Sequence, residues 1–356
     1  MEAGLEDVIA ARTVLSDVDG KAGRLIIRGA SLDSLVGVES FESVCARLWA
    51  GLSPDLPADL PGALGRARAE VWREVDDLDD RLAALPPVEA LRGLMARLAD
   101  GEDTATALRV VAAPAVFTGA VLRRAQGLAP VRPDPRAGHA ADLLRMISGA
   151  PPTPAQAAAL DAYLVTVIDH GLNASTFAAR VAASTRAGLV SAALAGLSAL
   201  KGPLHGGAPG PVIDMLDAIG TPDQARAWLE AALDGGDRLM GFGHRVYRVR
   251  DPRADALKSA IRRLGADQGR LALGEAVEAA ALEILRTRKP DRALETNVEF
   301  YTALLLEALS IPPAAFTCIF AAGRVAGWTA HAWEQVATGR LIRPQSIYVG
   351  PVPAAA

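Results

Sequence analysis

The sequence predicts an all-α protein with a small N-terminal β-hairpin, and three features of its 356 residues support that prediction. Half of the chain is hydrophobic (51%) but only 4% is aromatic, so alanine, leucine and valine must build most of the core, which is a helical composition. Apolar residues recur at helical spacing from about residue 41 almost to the end of the chain. Only "RTVLSDVDGKAGRLIIRG" places two β-rich runs around a turn, at Asp19, Gly20 and Gly23, as a hairpin does.

The helices follow from that spacing, and glycine and proline mark where several of them end. Proline pairs stand at residues 151–152 and 312–313, and a "GGD" turn stands at 235–237. Small residues over successive turns in "NASTFAARVAAST" and "GLVSAALAGLSAL" indicate closely packed helices; they favour the core, and a dimer interface is the alternative. The predicted helices span about 41–50, 62–83, 87–99, 103–126, 138–148, 154–168, 173–199, 209–219, 223–234, 253–264, 268–288, 293–309 and 320–338.

The length, the charge and the number of cysteines limit which classes of protein this chain can belong to. A chain of 356 residues can hold a large core and two lobes. The net charge of −4, with no block of lysine or arginine, argues against a nucleic-acid partner. The uncharged run 187–200 covers about 14 residues where a membrane helix needs about 20, and the acidic start "MEAGLEDVIA" is unlike a signal peptide. We therefore expect a cytoplasmic protein, without disulfides because Cys45 and Cys318 are the only cysteines and lie in apolar surroundings.

Three of the five histidines stand where a loop meets a helix. His170 lies in "VIDHGLNASTF", His205 in "LKGPLHGGAPG" and His244 in "MGFGHRVYRVRDPRAD". One such histidine is most simply part of a helix connection, but rigid elements can also hold a side chain toward a cleft there. The repetition favours a shared site.

Three arginines and one glutamate recur near these histidines in the second half of the chain. Arg253, Arg324, Arg343 and Glu299 stand in "DPRAD", "RVAGWTAHAWEQ", "RLIRPQ" and "NVEFYTALLL". Guanidinium groups hold carboxylates bidentately, neutral histidines donate to carbonyl oxygens, and an isolated carboxylate can accept a proton. Together these residues indicate carbon-acid chemistry on a polycarboxylate.

Each of these residues also has a simpler structural interpretation. Arg253 alone is better explained by pairing with Asp251 or Asp255, and Glu299 alone by pairing with a surface lysine. We assign His331, between two tryptophans, to the core, and His139 to the surface. Only the joint occurrence of the site residues favours catalysis.

Other catalytic and binding motifs are absent from the sequence. "GFGHRV" has valine where a dinucleotide fingerprint needs its third glycine, and no phosphate-loop lysine follows "HGGAPG". The chain has no HExxH motif and no nucleophile elbow, and its dispersed histidines predict no metal site.

The motifs, in their order and spacing, resemble the citrate synthase family, including its 2-methylcitrate synthase branch. The similar stretches are "DHGLNASTFAARV", "GPLHGGA", "GFGHRVY…DPRA", "NVEFY" and "RVAGWTAHAWEQ…RLIRPQSIYVGP", together with the N-terminal "LSDVDGKAGRLIIRG". The resemblance covers nearly the whole chain. It implies a citrate-synthase-like two-domain helical homodimer, with a large domain of residues 1–206 and 312–356 and a small domain of residues 207–311 that closes over the cleft.

The resemblance also implies a condensation of acetyl-CoA with oxaloacetate and hydrolysis of citryl-CoA, a reaction of the tricarboxylic acid cycle. His205 would donate a hydrogen bond to the thioester oxygen, Glu299 would remove a methyl proton, and His244 would polarise the ketone. Arg343 would enter from the partner subunit, and no cofactor is bound permanently. Further residues implied to hold the dicarboxylate are His170, Asn173, Arg253 and Arg324; those implied to lie against the acyl-CoA are Gly206, Gly207, Gly241, Phe242 and Gly243.

Three residues depart from the family's usual pattern. Glu299 replaces the usual aspartate, Gly171 replaces glutamate in "DHELN", and Pro209 replaces asparagine in "HGGAN". One added methylene moves the carboxylate of residue 299 by more than about 1 Å unless the backbone compensates. Two alternatives stay open: a 2-methylcitrate synthase that uses propionyl-CoA, and a catalytically weak paralogue that binds CoA or a tricarboxylate.

Overall fold

The computed structural model describes residues 5, 8–53, 55–206, 210–265 and 268–351, and in them the protein is almost entirely helical. The predicted all-α class is confirmed. The α-helices are α1 Leu32–Leu35, α2 Phe41–Trp49, α3 Leu60–Val71, α4 Asp80–Ala83, α5 Pro87–Met95, α6 Thr104–Ala125, α7 His139–Ser148, α8 Pro154–Val167, α9 Ala174–Ser184, α10 Leu189–Leu200, α11 Gly210–Ile219, α12 Ala225–Asp234, α13 Pro252–Leu264, α14 Gln268–Arg288, α15 Val298–Ala308 and α16 Phe316–Thr338. Short 3₁₀ turns span Trp72–Asp77, Pro222–Gln224 and Pro313–Ala315.

The N-terminal hairpin is present, and a third short strand extends it into a small antiparallel sheet. Strands β1 Ser16–Asp19, β2 Arg24–Ile27 and β3 Ala30–Ser31 lie in the order β1-β2-β3. Strand β1 pairs with β2 so that Ser16 faces Ile27 and Asp19 faces Arg24. Leu25 and Ile27 are buried and attach the hairpin to the helical core.

Helices α6 and α16 run through the centre of the molecule. Of the described helices, α6 alone is long and apolar enough to cross a bilayer, and 83% of its most apolar stretch is buried inside the protein. Small residues let α16 approach its neighbours closely: a Cβ on Gly327 would lie 2.3 Å from the carbonyl oxygen of Ile168. A Cβ on Gly196 of α10 would lie 2.7 Å from the Trp328 ring. The small-residue stretches therefore serve core packing, as expected.

Three predicted helices differ from the structure by more than about four residues at one end or by an internal break. The predicted helix 173–199 is two helices, α9 and α10, because Arg186 and Gly188 take positive φ angles of 65° and 96° between them. The predicted helix 62–83 is divided by the 3₁₀ turn Trp72–Asp77. The predicted helix 293–309 begins only at Val298, where Asn297 caps α15.

The prediction that His139 lies on the surface is wrong. Its side chain has no exposed area, its ring stacks on Phe41 with centroids 5.1 Å apart, and its Nδ1 lies 3.3 Å from Arg68. Arg68 of α3 is itself buried against Asp142, one turn further along α7, so an ion pair between the two helices covers the histidine. His331 is fully buried, as predicted, and Cys45 and Cys318 are buried free thiols.

Helices α11 to α15 form the segment predicted as a small domain. Helix α13 packs on α15 of the same segment and also on α8, which belongs to the predicted large domain. The division at residues 206–207 and 311–312 stays a prediction.

Candidate active site

Six of the predicted site residues converge: Arg324 comes from within α16, and the other five from helix ends and connecting loops. His170 follows α8, His205 follows α10, and His244 lies in the loop between α12 and α13. The rings of His170 and His244 lie with centroids 5.6 Å apart and nearly perpendicular. The positive charges of Arg253 and Arg324 reach both His170 and His205, whose pKa values burial and these two arginines lower. Glu299 lies in the field of the same two arginines.

His244 is held as a neutral ring with its proton on Nε2. The backbone N–H groups of Val246 and Tyr247 both donate to Nδ1, each at 3.0 Å, so Nδ1 carries no proton. Burial, and next the charge of Arg253, lower the pKa of His244 to about 4. Nε2–H and the Arg253 guanidinium, 3.3 Å apart, are therefore both donors, and neither can accept from the other. Two converging donors form a place for an acceptor oxygen.

Arg253 is anchored by Asp251, which confirms the simpler interpretation without excluding the functional one. The Asp251 carboxylate accepts from Nε at 3.0 Å and from Nη2 at 2.8 Å, and the arginine is 3% exposed. Asp251 also caps α13 and accepts from the backbone N–H of Val298 at 3.2 Å. One carboxylate thus fixes Arg253 and the start of α15 together.

Arg324 is a buried cation whose hydrogen-bonding capacity is not filled. It is 1% exposed, its Nε donates to the Val167 carbonyl oxygen at 2.5 Å, and its Nη2 has no partner among the described residues. The guanidinium carbon lies 4.9 Å from the centroid of the Phe320 ring. Burial lowers the pKa of Arg324 to about 10, so it remains charged at neutral pH. A buried, incompletely paired cation is costly unless an anion completes it.

Glu299 stands in the first turn of α15, and the pKa of its carboxyl group is raised toward neutral pH. The Asn297 side chain caps the helix by accepting from the backbone N–H of Glu299 at 3.0 Å, which fixes where the side chain starts. Its Oε2 is buried and has no partner among the described residues. Burial is the main cause that raises the pKa of Glu299 to about 7, against the opposing charge of Arg253. A carboxylate with such a pKa can act as a general base near neutral pH.

His205 is oriented by a serine that the sequence analysis missed. Its Nε2 lies 2.9 Å from Oγ of Ser175, and that oxygen accepts from the indole N–H of Trp328 at 3.2 Å. Burial, then the charges of Arg324 and Arg253, lower the pKa of His205 to about 4, so the ring is neutral at neutral pH. A hydroxyl just inside the start of α9, in "NASTF", was the available sequence signal.

His170 completes the histidine group from the opposite side. It is 7% exposed, and its Nε2 lies 3.2 Å from the hydroxyl of Tyr247. Tyr247 was also missed by the sequence analysis, although it follows His244 closely. Its ring lies 4.8 Å from that of His244, so it contacts both histidines.

The remaining predicted binding residues have structural contacts, and their ligand-binding roles stay predictions. Asn173 caps α9, accepting from the backbone of Ser175 and Thr176 at 3.1 Å each. Gly206 donates to the Leu200 carbonyl oxygen at 2.8 Å. Gly207 and Pro209 lie outside the described residues.

The glycine loop before His244 is tied to the segment that leads into Glu299. Gly241 accepts from the backbone of Asn297 at 3.0 Å, and Gly243 donates to the carbonyl of Glu295 at 2.7 Å. Both glycines have φ of 85°, and the Phe242 side chain is buried with its ring 5.4 Å from Phe300. The loop therefore couples the positions of His244 and Glu299.

Arg343 does not join the site within one chain. It lies in the extended segment after α16 with an exposed side chain, and it makes no hydrogen bond or ion pair with the described residues. That segment is held by Gln335, whose side chain donates to the carbonyl of Arg340 at 2.9 Å. The backbone N–H of Ile342 donates to the Ser184 hydroxyl at 3.1 Å.

Comparison with known proteins gives consistent matches over the whole chain. The family model described as "Citrate synthase, C-terminal domain" matches residues 4–345. The chain is 37% identical over 372 aligned positions to the citrate synthase of Haloferax volcanii, covering 98% of this chain and 96% of that one. It is 35% identical to the 2-methylcitrate synthase of Mycobacterium tuberculosis, covering 98% and 91%. The solved citrate synthase of Thermoplasma acidophilum, a ternary complex with carboxymethyl coenzyme A and oxaloacetate, is 28% identical with a TM-score of 0.83, covering 99% and 97%.

Proposed function

Because the chain belongs to the citrate synthase family, we propose that it condenses acetyl-CoA with oxaloacetate and hydrolyses citryl-CoA to citrate and CoA. One observation supports this most directly: the site combines Glu299, a carboxyl group with a raised pKa, with two neutral histidines, His205 and His244. The reaction needs one base and two neutral donors at the same cleft. We place the enzyme in the cytoplasm.

In the first step Glu299 removes a proton from the acetyl methyl group, and negative charge develops on the thioester oxygen. His205 donates a hydrogen bond to that oxygen from Nδ1–H, for which the Ser175 hydroxyl turns its proton from Asn173 Oδ1, its acceptor at 2.8 Å, to Nε2 of His205. A neutral donor placed in advance at the position of the developing charge stabilises the enolate strongly in a site shielded from water. The base and the donor act across one small group, which is the physical requirement for this enolisation.

In the second step the enolate carbon forms a bond to the ketone carbon of oxaloacetate, whose carbonyl electrons move to oxygen. The Nε2–H of His244 and the adjacent Arg253 guanidinium donate to that oxygen, which fills the place between the two donors. The unpartnered Nη2 of Arg324 takes a carboxylate. Water then cleaves the citryl thioester and releases CoA as the thiol.

The acyl group is the finer part of the proposal. Propionyl-CoA, the substrate of a 2-methylcitrate synthase, is the alternative, since one relative with that name is 35% identical. One added carbon changes pocket discrimination by only about 1–3 kcal/mol. The test is thiol release with oxaloacetate and either acetyl-CoA or propionyl-CoA: the larger kcat/KM identifies the substrate. No thiol release with either would overturn the condensation and favour a CoA- or tricarboxylate-binding paralogue.

We further propose a homodimer in which Arg343 completes the partner's site. Mixing an inactive Arg343→Ala protein with an inactive Glu299→Gln protein under conditions of subunit exchange is expected to restore activity. One of the two sites in each mixed dimer then holds a native Glu299 and a native Arg343 from the other chain. Exchange is followed by two different affinity tags. If tagged mixed dimers form and remain inactive, Arg343 does not act across the interface.

The pH dependence follows from the raised pKa of Glu299. The base must be ionised, so kcat/KM for the acyl-CoA is expected to be full above about pH 7 and to fall tenfold per unit as the pH drops through that value. His205 and His244, with pKa values of about 4, stay neutral and add no limb between pH 5 and 8. A profile measured from pH 5 to 9 that stays flat to pH 5 would contradict this assignment.

A further inference from the structure

We propose that the N-terminal hairpin, residues 16–27, is a positioning element of the oxaloacetate pocket, an inference that rests on the proposed function. Its stem holds the loop that carries His170, and its turn holds the loop that carries His244. These two loops come from distant parts of the chain, and the hairpin contacts both.

The stem contact is made by Ser16 at the start of β1. The Ser16 hydroxyl donates to Oδ2 of Asp169 at 2.5 Å and accepts from the backbone N–H of Gly171 at 2.9 Å. Asp169 is fully buried and also lies 3.2 Å from His331 on α16. Ser16 therefore binds the residues immediately before and after His170, which leaves this histidine little freedom to move.

The turn contact is made by Gly20. Its carbonyl oxygen accepts from the backbone N–H of Arg248 at 2.8 Å. A Cβ on Gly20 would lie only 2.1 Å from the carbonyl oxygen of Val246, so no larger residue fits without moving that loop. Gly23, at the other end of the turn, lies less closely on Val249, whose Cγ2 would be 2.9 Å from an added Cβ.

The turn contact acts on the chemistry of His244 through two backbone amides. Val246, which lies against Gly20, and the adjoining Tyr247 supply the N–H groups that keep Nδ1 of His244 unprotonated. A displacement of this turn removes that restraint on the ring and misaims the Nε2–H donor. A misplacement of about 1 Å in such a group can cost about 10²-fold in rate.

The first experiment compares Gly20→Ala with Gly235→Ala. Gly235 lies after α12 with φ of −71°, and the atom nearest to an added Cβ is 3.4 Å away, so this control accepts alanine without strain. Gly20→Ala is expected to lower kcat/KM for oxaloacetate about 10- to 100-fold. KM for oxaloacetate is expected to rise while KM for acetyl-CoA stays at the wild-type value, whereas a loss of folded protein would lower the apparent kcat and leave both KM values unchanged. Gly235→Ala is expected to match the wild type in both.

The second experiment uses the pair Ser16→Ala and Ser16→Thr, which also decides the matter if Gly20→Ala does not fold. Ser16→Ala removes the hydroxyl and is expected to raise KM for oxaloacetate and to speed hydrogen exchange at the Gly171 amide. Ser16→Thr keeps the hydroxyl and is expected to restore both. Alanine and threonine variants with the same KM for oxaloacetate and the same exchange at Gly171 would overturn the inference.

Amide exchange separates this inference from the proposed function. A wild-type protein that condenses nothing would overturn the function, while faster exchange at the Arg248 amide in Gly20→Ala than in Gly235→Ala would still support the positioning contact. Unchanged exchange at Gly171 and Arg248 in an active enzyme would overturn the positioning role alone.

Discussion

Replacing His205 by alanine is expected to lower turnover by about 10²- to 10³-fold, the loss typical when one donor to a developing oxyanion is removed. The measurement is steady-state thiol release at saturating substrates. The His205 ring lies within hydrogen-bond distance of Ser175, and it interacts with Arg324 and Arg253 only electrostatically. Because these arginines keep their own contacts in the variant, oxaloacetate affinity measured by calorimetry is expected to stay near the wild-type value.

The matched control for this variant is Ser175→Ala. It keeps His205 but removes the hydroxyl 2.9 Å from Nε2, and it is expected to give a smaller loss in turnover than His205→Ala. His205→Ala with wild-type turnover would remove this residue from the mechanism. A loss of oxaloacetate affinity equal to the loss of turnover would show that His205 acts on the dicarboxylate instead of the thioester.

The helices could be predicted where nearby residues determine their limits. The helix limits that were predicted wrongly depend on contacts with residues that are distant in the sequence. The break between α9 and α10 is stabilised by Asp100, whose carboxylate accepts from the backbone N–H groups of Val190 and Ser191 at 2.8 and 2.9 Å. This capping residue stands about 90 positions away in the chain, so apolar spacing around residue 187 could not reveal it. The helical spacing of apolar residues continues through residues 185–188, although the helix is broken there by a capping residue that is distant in the sequence.

His139 shows the same limitation for burial. Its sequence neighbours include arginine, aspartate and glycine, which favour a surface position. The structure buries it because the Arg68 guanidinium from α3 satisfies Asp142 beside it. The two partners of a buried ion pair meet only in the folded protein. In the sequence each of them is a charged residue, and a charged residue by itself predicts a surface position.

The residue types of the site could be predicted from motifs, but their protonation and pairing could not. Sequence spacing placed His244 beside a glycine turn, yet only the structure shows two amides directed at Nδ1, which fix the proton on Nε2. Likewise, the sequence shows a charged residue at position 324 in an apolar stretch. Its unpartnered Nη2 is a property of three-dimensional packing.

The Glu299 variants test the residue that stands where the resemblance to the family implies an aspartate. Glu299→Gln keeps the shape of the side chain but cannot accept a proton, and loss of a general base costs about 10²- to 10⁴-fold. We expect it to abolish both condensation and exchange of the acetyl-CoA methyl hydrogens with solvent, followed by mass spectrometry. Wild-type condensation by this variant would show that another group is the base.

Glu299→Asp then separates the identity of the base from its reach. The start of residue 299 is fixed by the Asn297 cap and by Asp251, which accepts from the neighbouring Val298 amide at 3.2 Å. The backbone cannot easily advance to compensate for a shorter side chain, so aspartate is expected to fall short of the methyl group and to slow proton removal by about 10²-fold. Methyl-hydrogen exchange and condensation should fall together, because both need the same proton transfer. An aspartate variant as fast as the wild type would show that the backbone at position 299 suits either length, and that the added methylene of this chain has no effect on the position of its base.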